Sequence, residues 1–432
     1  MALGILAANE NITNPELASC MIAGELSLDG TVLPVKGVLP MAVKARQNGF
    51  RKMIVPAANA TEAAVVNDIE VYGVENLIQA IDLLNGNSTL QPTVVDTRRE
   101  FHLHADNFDL DFSDVKGQES VKRAFEVACA GGHNILLIGP PGSGKSMMAK
   151  RLPTIMPPLS LHEALETTKI HSVAGKLGRG SMLMTRRPFR APHHTVSPVA
   201  LVGGGTSPQP GEISLAHNGV LFLDEFPEFP RTVLEVLRQP IEDRVITVSR
   251  AKYSVDYPAS FMLVASMNPC PCGYYGHPTR RCTCAPAQVQ RYMNRISGPL
   301  LDRIDLQVEI QPVAFAEIAS TARSESSADI RARVVKARTV QQERFREEKG
   351  VYCNAQMSSR QLRRYAWPDP EGLERLRMAM ERHNMSARAF DRILRVARTI
   401  ADLDGSPGVL PRHIAEAITY RNLDRGTYGQ IF

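Results

Sequence analysis

Eight consecutive residues of this 432-residue chain have the types and spacing of a loop that binds phosphate. The loop consists of Gly139, Pro140, Pro141, Gly142, Ser143, Gly144, Lys145 and Ser146. Its glycines let successive backbone N–H groups curl around a phosphate, Lys145 reaches the β- and γ-phosphates, and the Ser146 hydroxyl can ligate Mg²⁺. An apolar run at 134–138 predicts a buried parallel strand before the loop, and residues 147–152 predict a helix after it. The sequence therefore predicts a site for a nucleoside triphosphate and Mg²⁺.

An acidic pair indicates hydrolysis as well as binding. The apolar run 219–223 predicts a second buried strand, and Asp224 and Glu225 follow it directly. An aspartate at a strand end can hold Mg²⁺, and an adjacent glutamate can orient and polarise the attacking water. The alternative is a strand capped by two solvated acids. The position of the pair, about 80 residues after the loop, favours one nucleotide-binding domain.

Three further polar residues follow in a recognisable order. Asn268 follows a third predicted strand at 261–267, Arg303 lies in a Leu-Leu-Asp-Arg run, and Arg388 lies in a Ser-Ala-Arg run. This order resembles an AAA+ ATPase, an α/β fold with a parallel P-loop sheet and a helical C-terminal domain. The resemblance implies ATP as the substrate, Asn268 as sensor 1, Arg303 as an arginine finger offered to a neighbouring subunit, and Arg388 as sensor 2. Hydrolysis would then depend on assembly of a ring.

Two insertions indicate a subclass of these ATPases. One contains the basic run 187–195, and the other is a pair of alternating segments within 245–255 that predicts a β-hairpin with Arg250 and Lys252 at its tip. Together they resemble magnesium-chelatase-like ATPases.

The first region of the chain has a resemblance of its own. The runs 24–34 and 49–56 are similar to the C-terminal half of a Lon-protease-type domain. The catalytic serine motif of that family is missing, and Met41 stands at the position of its catalytic lysine, so we expect no proteolysis. The chain begins inside the domain, at a predicted helix 1–8. We therefore expect this to be a partial domain, lacking the leading strands through truncation or a fragmentary start.

A Lon-like region joined to a chelatase-like ATPase identifies the chain as a member of the ComM/YifB family. The resemblance implies a hexameric ring that drives branch migration of DNA, branched or single-stranded, in recombination and natural transformation. Arg250 and Lys252 at the hairpin tip, three arginines of the first insertion (Arg186, Arg187 and Arg190) and ten arginines against five acids in 360–398 are consistent with phosphate contacts. Solvated helix faces and subunit contacts explain the last group equally well. A chelatase-type motor that remodels a protein partner and a nucleotide-gated scaffold are the competing functions.

Four of the seven cysteines form two close pairs, Cys270 with Cys272 and Cys282 with Cys284. Thiolates in paired clusters of a cytosolic protein are more often metal ligands than disulfides, which predicts a structural Zn²⁺ site. His277 is a possible substitute ligand, and four reduced thiols without metal are the alternative. The other three cysteines (Cys20, Cys129 and Cys353) are scattered along the chain, and we expect them to be small core residues.

The amino-acid composition limits the class of protein and the partners that we expect. Apolar residues make up 44% and charged residues 22% of the chain, and the net charge of +5 permits a nucleic-acid partner without requiring one. No apolar run is long enough to span a membrane and no signal peptide is recognisable, so we expect a cytoplasmic protein without a membrane partner. The predicted order is a partial Lon-like domain without a catalytic dyad at 1–85, a linker at 86–112, the AAA+ domain at 113–313, and the helical C-terminal domain at 314–432.

Overall fold

The chain divides into two compact units. The computed structural model describes residues 1–13, 15–104, 108–178, 182–205, 208–249, 254–313, 317 and 324–421. The first unit comprises 1–107 and 159–186, and the second comprises 108–158 and 187–432. The segment 159–186 therefore belongs to the first unit, although it interrupts the second in sequence.

The first unit is a small α/β structure. Three parallel strands form its sheet in the order β1 (Cys20–Ile22), β4 (Lys52–Pro56), β5 (Glu70–Val74), and a separate antiparallel pair joins β2 (Glu25–Leu26) to β3 (Val32–Leu33). The α-helices are Ala2–Ala8, Val38–Gln47, Ala60–Ala63, Leu77–Leu84, Thr97–His104 and Leu161–Ala174. Residues of β4, β5 and the second helix, such as Leu39, Met53 and Val71, form the core.

A buried carboxylate links the inserted helix to the first unit. Glu62 accepts hydrogen bonds from the backbone N–H of Leu39 (3.1 Å), from Asn59 Nδ2 (3.1 Å) and from the hydroxyl of Ser172. Because a buried carboxylate is costly unless its oxygens are bonded, these donors specify where helix Leu161–Ala174 packs.

The second unit is built on five parallel strands in the order β14-β6-β13-β10-β7. Their bounds are β6 Ile135–Ile138, β7 Phe189–Arg190, β10 Val220–Leu223, β13 Met262–Met267 and β14 Leu306–Glu309. The strands predicted at 134–138, 219–223 and 261–267 are confirmed as β6, β10 and β13. Every residue of these three strands is buried, as expected where helices cover both faces of a parallel sheet.

Helices surround this sheet and form the C-terminal region. They are Glu119–Gly131, Lys145–Ala149, Leu152–Ile155, Pro198–Val202, Glu212–Leu215, Arg231–Val236, Arg238–Asp243, Pro286–Met293, Gly298–Leu301, Ser327–Arg344, Ser359–Tyr365, Pro370–His383, Ala387–Leu403 and Pro411–Thr419. The predicted helix 147–152 is in fact two short helices, because Pro153, the second residue of helix Leu152–Ile155, has no N–H to continue the first helix. The predicted fold class, an α/β P-loop sheet with a helical C-terminal region, is confirmed.

Three smaller features complete the described structure. The predicted hairpin is confirmed as antiparallel strands β11 (Val245–Ser249) and β12 (Ser254–Pro258), while its tip, with Arg250 and Lys252, lies outside the described residues. A second short pair joins β8 (Gly203–Gly204) to β9 (Gln209–Pro210). None of the described helices is long and apolar enough to cross a membrane.

A buried ionic network joins the C-terminal helices to the sheet. Asp305 is 1% exposed; its carboxylate lies 2.9 Å from Arg392 Nη1 and 3.5 Å from His133 Nδ1, and it accepts the backbone N–H of Asn134 at 3.0 Å. His133 also hydrogen-bonds Thr399 through Nε2 at 2.8 Å. Burial alone would raise the pKa of Asp305, but Arg392 and His133 outweigh it and hold the pKa well below its usual range.

We expect Asp305→Asn to destabilise the protein by about 3 kcal/mol at pH 7, because it removes the buried partner of Arg392, whose own side chain is only 17% exposed. The depressed pKa of Asp305 means that its carboxylate contributes fully above the unfolded-state pKa of about 4 and progressively less as the pH falls below it. Urea unfolding at several pH values measures both effects. Asp302→Asn is the control, since Asp302 is 29% exposed and its pair should contribute less than about 1 kcal/mol. Equal losses in the free energy of unfolding for Asp305→Asn and Asp302→Asn would contradict the special contribution assigned to Asp305.

Candidate functional site

The phosphate-binding loop lies between the carboxyl end of β6 and helix Lys145–Ala149, where the sequence predicts it. Gly142 and Gly144 both have positive φ values, +79° and +87°, which a residue with a side chain rarely adopts. The buried ammonium of Lys145 donates to the carbonyls of Gly139 (2.7 Å) and Pro140 (2.9 Å) and to Asn268 Oδ1 (3.2 Å). Desolvation lowers the pKa of Lys145, against the opposing effect of Asp224. The sheet thus brings Asn268 to the loop lysine.

Two oxygen ligands for Mg²⁺ meet at the ends of β10 and the loop. Ser146 Oγ donates to Asp224 Oδ2 at 2.6 Å. The other oxygen of Asp224 accepts from the Ser266 hydroxyl and from the backbone N–H of Glu225 at 3.0 Å. Hydroxyl and carboxylate oxygens suit Mg²⁺, so the residues present fit this ion. Ser266 is a supporting residue that sequence reasoning missed, since it occupies an interior position of a buried strand.

Glu225 is held by a residue that the sequence did not single out. The glutamate has a left-handed backbone (φ +53°) and an exposed side chain, and its Oε2 lies 3.2 Å from His194 Nδ1. His194 stacks at 4.0 Å between ring centroids on His193. Both histidines come from the first insertion, which therefore reaches the residue predicted to orient water.

The two predicted arginines lie at the opposite edge of the sheet. β14 runs parallel to β6 with Leu306 beside Ile135, so the loop that carries Arg303 lies at the amino end of β6, while the phosphate loop follows its carboxyl end. Four strand residues span about 13 Å. Arg388 Nη1 lies 3.4 Å from Asp302 Oδ2, next to Arg303 in sequence. The structure brings the two arginines together and places them away from the phosphate loop of their own chain.

Arg303 makes contacts within its own chain. Its Nη1 donates to the Pro299 carbonyl at 2.6 Å, and its Nη2 lies 2.8 Å from Glu242 Oε1. Its side chain is only 11% exposed, so the guanidinium is largely occupied by contacts within its own chain.

The four paired cysteines converge. The Sγ atoms of Cys270, Cys272, Cys282 and Cys284 all lie within 4.8 Å of one another. Zn–S bonds of about 2.3 Å in a tetrahedron give sulfur separations of about 3.8 Å, so this donor set fits Zn²⁺. Burial opposes ionisation of Cys272, but backbone N–H groups of Thr283 and Tyr274 lower the pKa of its thiol to about 6.

His277 lies outside this group of ligand atoms. Its Nδ1 instead accepts the backbone N–H groups of Thr279 (3.1 Å) and Arg280 (3.0 Å). The scattered Cys129 behaves as a core residue, since burial raises its pKa to about 12.

Two basic residues of the first insertion have partners inside the protein. Arg190 pairs with both carboxylate oxygens of Glu212 at 2.6 and 2.8 Å. Arg187 donates to the carbonyls of Pro157 (2.6 Å) and Asn218 (2.7 Å). Both side chains are therefore committed to structural contacts, contrary to the expectation that they meet phosphate.

Comparisons with known proteins agree with this architecture. Residues 111–318 match the family "Magnesium chelatase, subunit ChlI", residues 324–421 match its C-terminal family, and residues 1–59 match "Subunit ChlI of Mg-chelatase". A shorter similarity, 33% identity over 87 residues, covers 19% of this chain and 13% of the archaeal Lon protease of Thermococcus kodakarensis.

Two relatives match over nearly the whole chain. Competence protein ComM of Haemophilus influenzae is 42% identical over 431 residues, which is 98% of this chain and 82% of that protein. The uncharacterized protein YifB of Escherichia coli is 42% identical over 429 residues, 98% of this chain and 81% of that protein. Together with the phosphate loop and the parallel sheet, these similarities show that the chain belongs to the ComM/YifB family of magnesium-chelatase-like AAA+ proteins.

Proposed function

We propose that this protein is a cytoplasmic, ring-forming motor, a hexamer, that hydrolyses ATP to move branched or single-stranded DNA during recombination and natural transformation. The observation that carries the proposal is the separation of Arg303 and Arg388 from the phosphate loop. A single chain supplies both halves of a hydrolytic site at opposite edges of one sheet, so a complete site needs a second copy. The name of the Haemophilus relative, a competence protein, supports the biological setting.

The residues of one chain bind and orient the substrate. The phosphate-loop N–H groups and Lys145 bind the triphosphate, while Ser146 and Asp224 hold Mg²⁺, which supplies charge neutralisation at the β- and γ-phosphates. Glu225 polarises the attacking water after it leaves His194, and Asn268 contacts the γ-phosphate or that water. The neighbour's Arg303 and Arg388 stabilise charge as the phosphoryl group departs.

In this proposal Zn²⁺ would stabilise the fold of the cysteine-bounded segment and take no part in ATP hydrolysis. The four thiolates close the segment 270–284, which begins two residues after Asn268. A Cβ atom at position 273, which glycine lacks, would lie 2.6 Å from Pro141 of the phosphate loop, so this segment packs directly on the candidate nucleotide site. The metal therefore fixes the shape of that site from outside the reaction.

The hairpin β11–β12 is the proposed DNA contact. The alternation along β11 buries Ile246 and Val248 and leaves its other residues exposed, as in a ribbon that covers the core on one face. Arg250 and Lys252 fall between these two strands in sequence, and phosphate contacts made by them would bind DNA without reading its bases.

Two other functions are tested by the same measurements. A chelatase-type motor would respond to a protein partner and show no stimulation by DNA. A nucleotide-gated scaffold would bind ATP with negligible turnover.

The subunit arrangement can be tested by mixing inactive variants. Arg303→Ala and Lys145→Ala should each abolish hydrolysis, the first with ATP binding retained. An equal mixture should regain activity at about one interface in four, where an intact loop faces an intact arginine. Arg388→Ala should likewise be rescued by Lys145→Ala but not by Arg303→Ala, because both arginines lie on the same face. Rescue between the two arginine variants would place Arg388 at its own phosphate loop.

We expect about one zinc per chain in freshly prepared protein, measured by elemental analysis without chelator. Replacing Cys270 and Cys272 by Ser should release the metal and lower both ATP affinity and turnover, because the segment on Pro141 loosens. Cys20→Ser is the control and should retain zinc. A zinc content well below one ion per wild-type chain would favour the alternative of four free thiols.

The DNA role can be tested by substituting the hairpin tip. The double variant Arg250→Ala and Lys252→Ala should lose most DNA affinity and DNA-stimulated hydrolysis, while basal hydrolysis stays unchanged. Wild-type affinity should fall steeply with salt and vary little with base sequence. The matched control replaces Arg375 and Arg377, which pair with Glu371, Glu374 and Glu381 on an exposed helix. If only the control variant lost DNA affinity, the DNA would bind at the C-terminal helices instead of the hairpin. If DNA failed to stimulate ATP hydrolysis by the wild type, the proposed DNA function would be wrong.

A further inference from the structure

A cleft of about 550 Å³ opens beside the phosphate loop. Residues 140–144 of the loop line one side, together with Lys116 and Val313. The other side is formed by the cysteine-bounded segment through Tyr274, His277, Thr279 and Arg280, which are among its lining residues. The volume lies within the range of small-ligand sites, and the phosphate loop forms one wall of it.

Arg280 is held in place by neutral groups. Its Nη1 donates to the Tyr274 hydroxyl at 2.7 Å, and its guanidinium lies 5.1 Å from the centroid of the same ring. Its backbone N–H donates to His277 Nδ1 at 3.0 Å, and the His277 ring packs edge-on against Tyr274 at 5.6 Å. Arg280 is an exposed residue, and these contacts orient its guanidinium without an anion.

The charges around the cleft leave Arg280 without a carboxylate. Asp114, which also lines the cleft, pairs with Arg151 at 2.9 Å. Within the part of the chain that the structure describes, Arg280 forms no ion pair. A fixed cation beside a phosphate-binding loop favours an anionic ligand.

The cysteines fix this segment from both ends. Tyr274 to Arg280 lies between Cys272 and Cys282, and Gly273, with φ +84°, lets the backbone approach Pro141 closely. A side chain at position 273 would separate the two walls of the cleft. Arg280 thus belongs to a short segment that is bounded by the two cysteine pairs and packs on the phosphate loop at Gly273.

We propose that Arg280 is a nucleotide-binding residue whose guanidinium pairs with the phosphate chain of the bound nucleoside triphosphate, with Tyr274 as its positioning residue. This inference rests on the proposed ATPase function and adds a phosphate contact from outside the phosphate loop. It also gives the cysteine cluster a direct effect on substrate affinity.

Equilibrium binding of fluorescent ATP, ADP and adenosine analogues to the full chain tests the assignment. Arg280→Gln should weaken ATP binding by about tenfold or more, the loss expected for one charge-assisted hydrogen bond, and leave adenosine binding unchanged. Arg280→Lys should retain most of the affinity, because the charge remains. Tyr274→Phe should cause a smaller loss for ATP. Arg281→Ala is the control, since it removes the same charge from the adjacent residue, which is not among those lining the cleft.

Zinc content is measured for every variant, so that loss of the phosphate contact is separated from loss of the fold. Arg280→Gln protein that retains zinc and binds ATP as tightly as the Arg281→Ala control overturns the inference. Equal losses in the Gln and Lys variants also overturn it, because they indicate packing by the side-chain stem instead of charge. Wild type that binds no nucleotide overturns the ATPase proposal itself, and Lys145→Ala provides the reference for that outcome.

Discussion

The direction of the five-stranded sheet is the constraint on which the rest of the second unit depends. All its strands are parallel, so the carboxyl ends lie at one edge and the amino ends at the other. The phosphate loop, Asp224 and Asn268 each follow the carboxyl end of a strand. Arg303 precedes a strand and lies at the other edge. A phosphate site and an arginine pair on one chain are therefore separated by the sheet itself, which is the physical basis for proposing that neighbouring copies complete each other.

Hydrogen bonds of Asn134 join three neighbouring segments at the amino end of the sheet. Its side chain accepts the backbone N–H of Leu263 at 2.8 Å and donates to the carbonyl of Arg303 at 3.2 Å. Leu263 belongs to β13, which ends at Asn268. Asp305, bonded to the N–H of Asn134, pairs with Arg392 on the same helix as Arg388. The arginine edge is thus tied through short buried contacts to the strand that carries the polar residue beside Lys145.

Sequence patterns predicted the parts of the fold that short segments determine. Buried parallel strands appear in the sequence as apolar runs, which is why β6, β10 and β13 were predictable. The polar residue directly after each run marks the carboxyl end of the strand, where the candidate site lies. Long-range pairings leave no such pattern. The hydrogen bond of Ser266 to Asp224, the contact of His194 with Glu225, and the burial of Glu62 against Ser172 each depend on residues far apart in sequence. The membership of segment 159–186 in the first unit follows from the last of these.

The number of arginines in the sequence overstates how many are available to contact phosphate, because some of them bond groups inside the protein. A guanidinium has five N–H donors and is often selected because it satisfies carbonyls and carboxylates inside a protein. Arg187 and Arg190 do so in the first insertion, and Arg398 does so in the C-terminal region, where it pairs with Asp402 at 2.8 Å. A net charge of +5 therefore says little about where phosphate binds. The useful quantity is a cation that lies beside a phosphate-binding element and has no carboxylate partner, and among the described residues Arg280 meets both conditions.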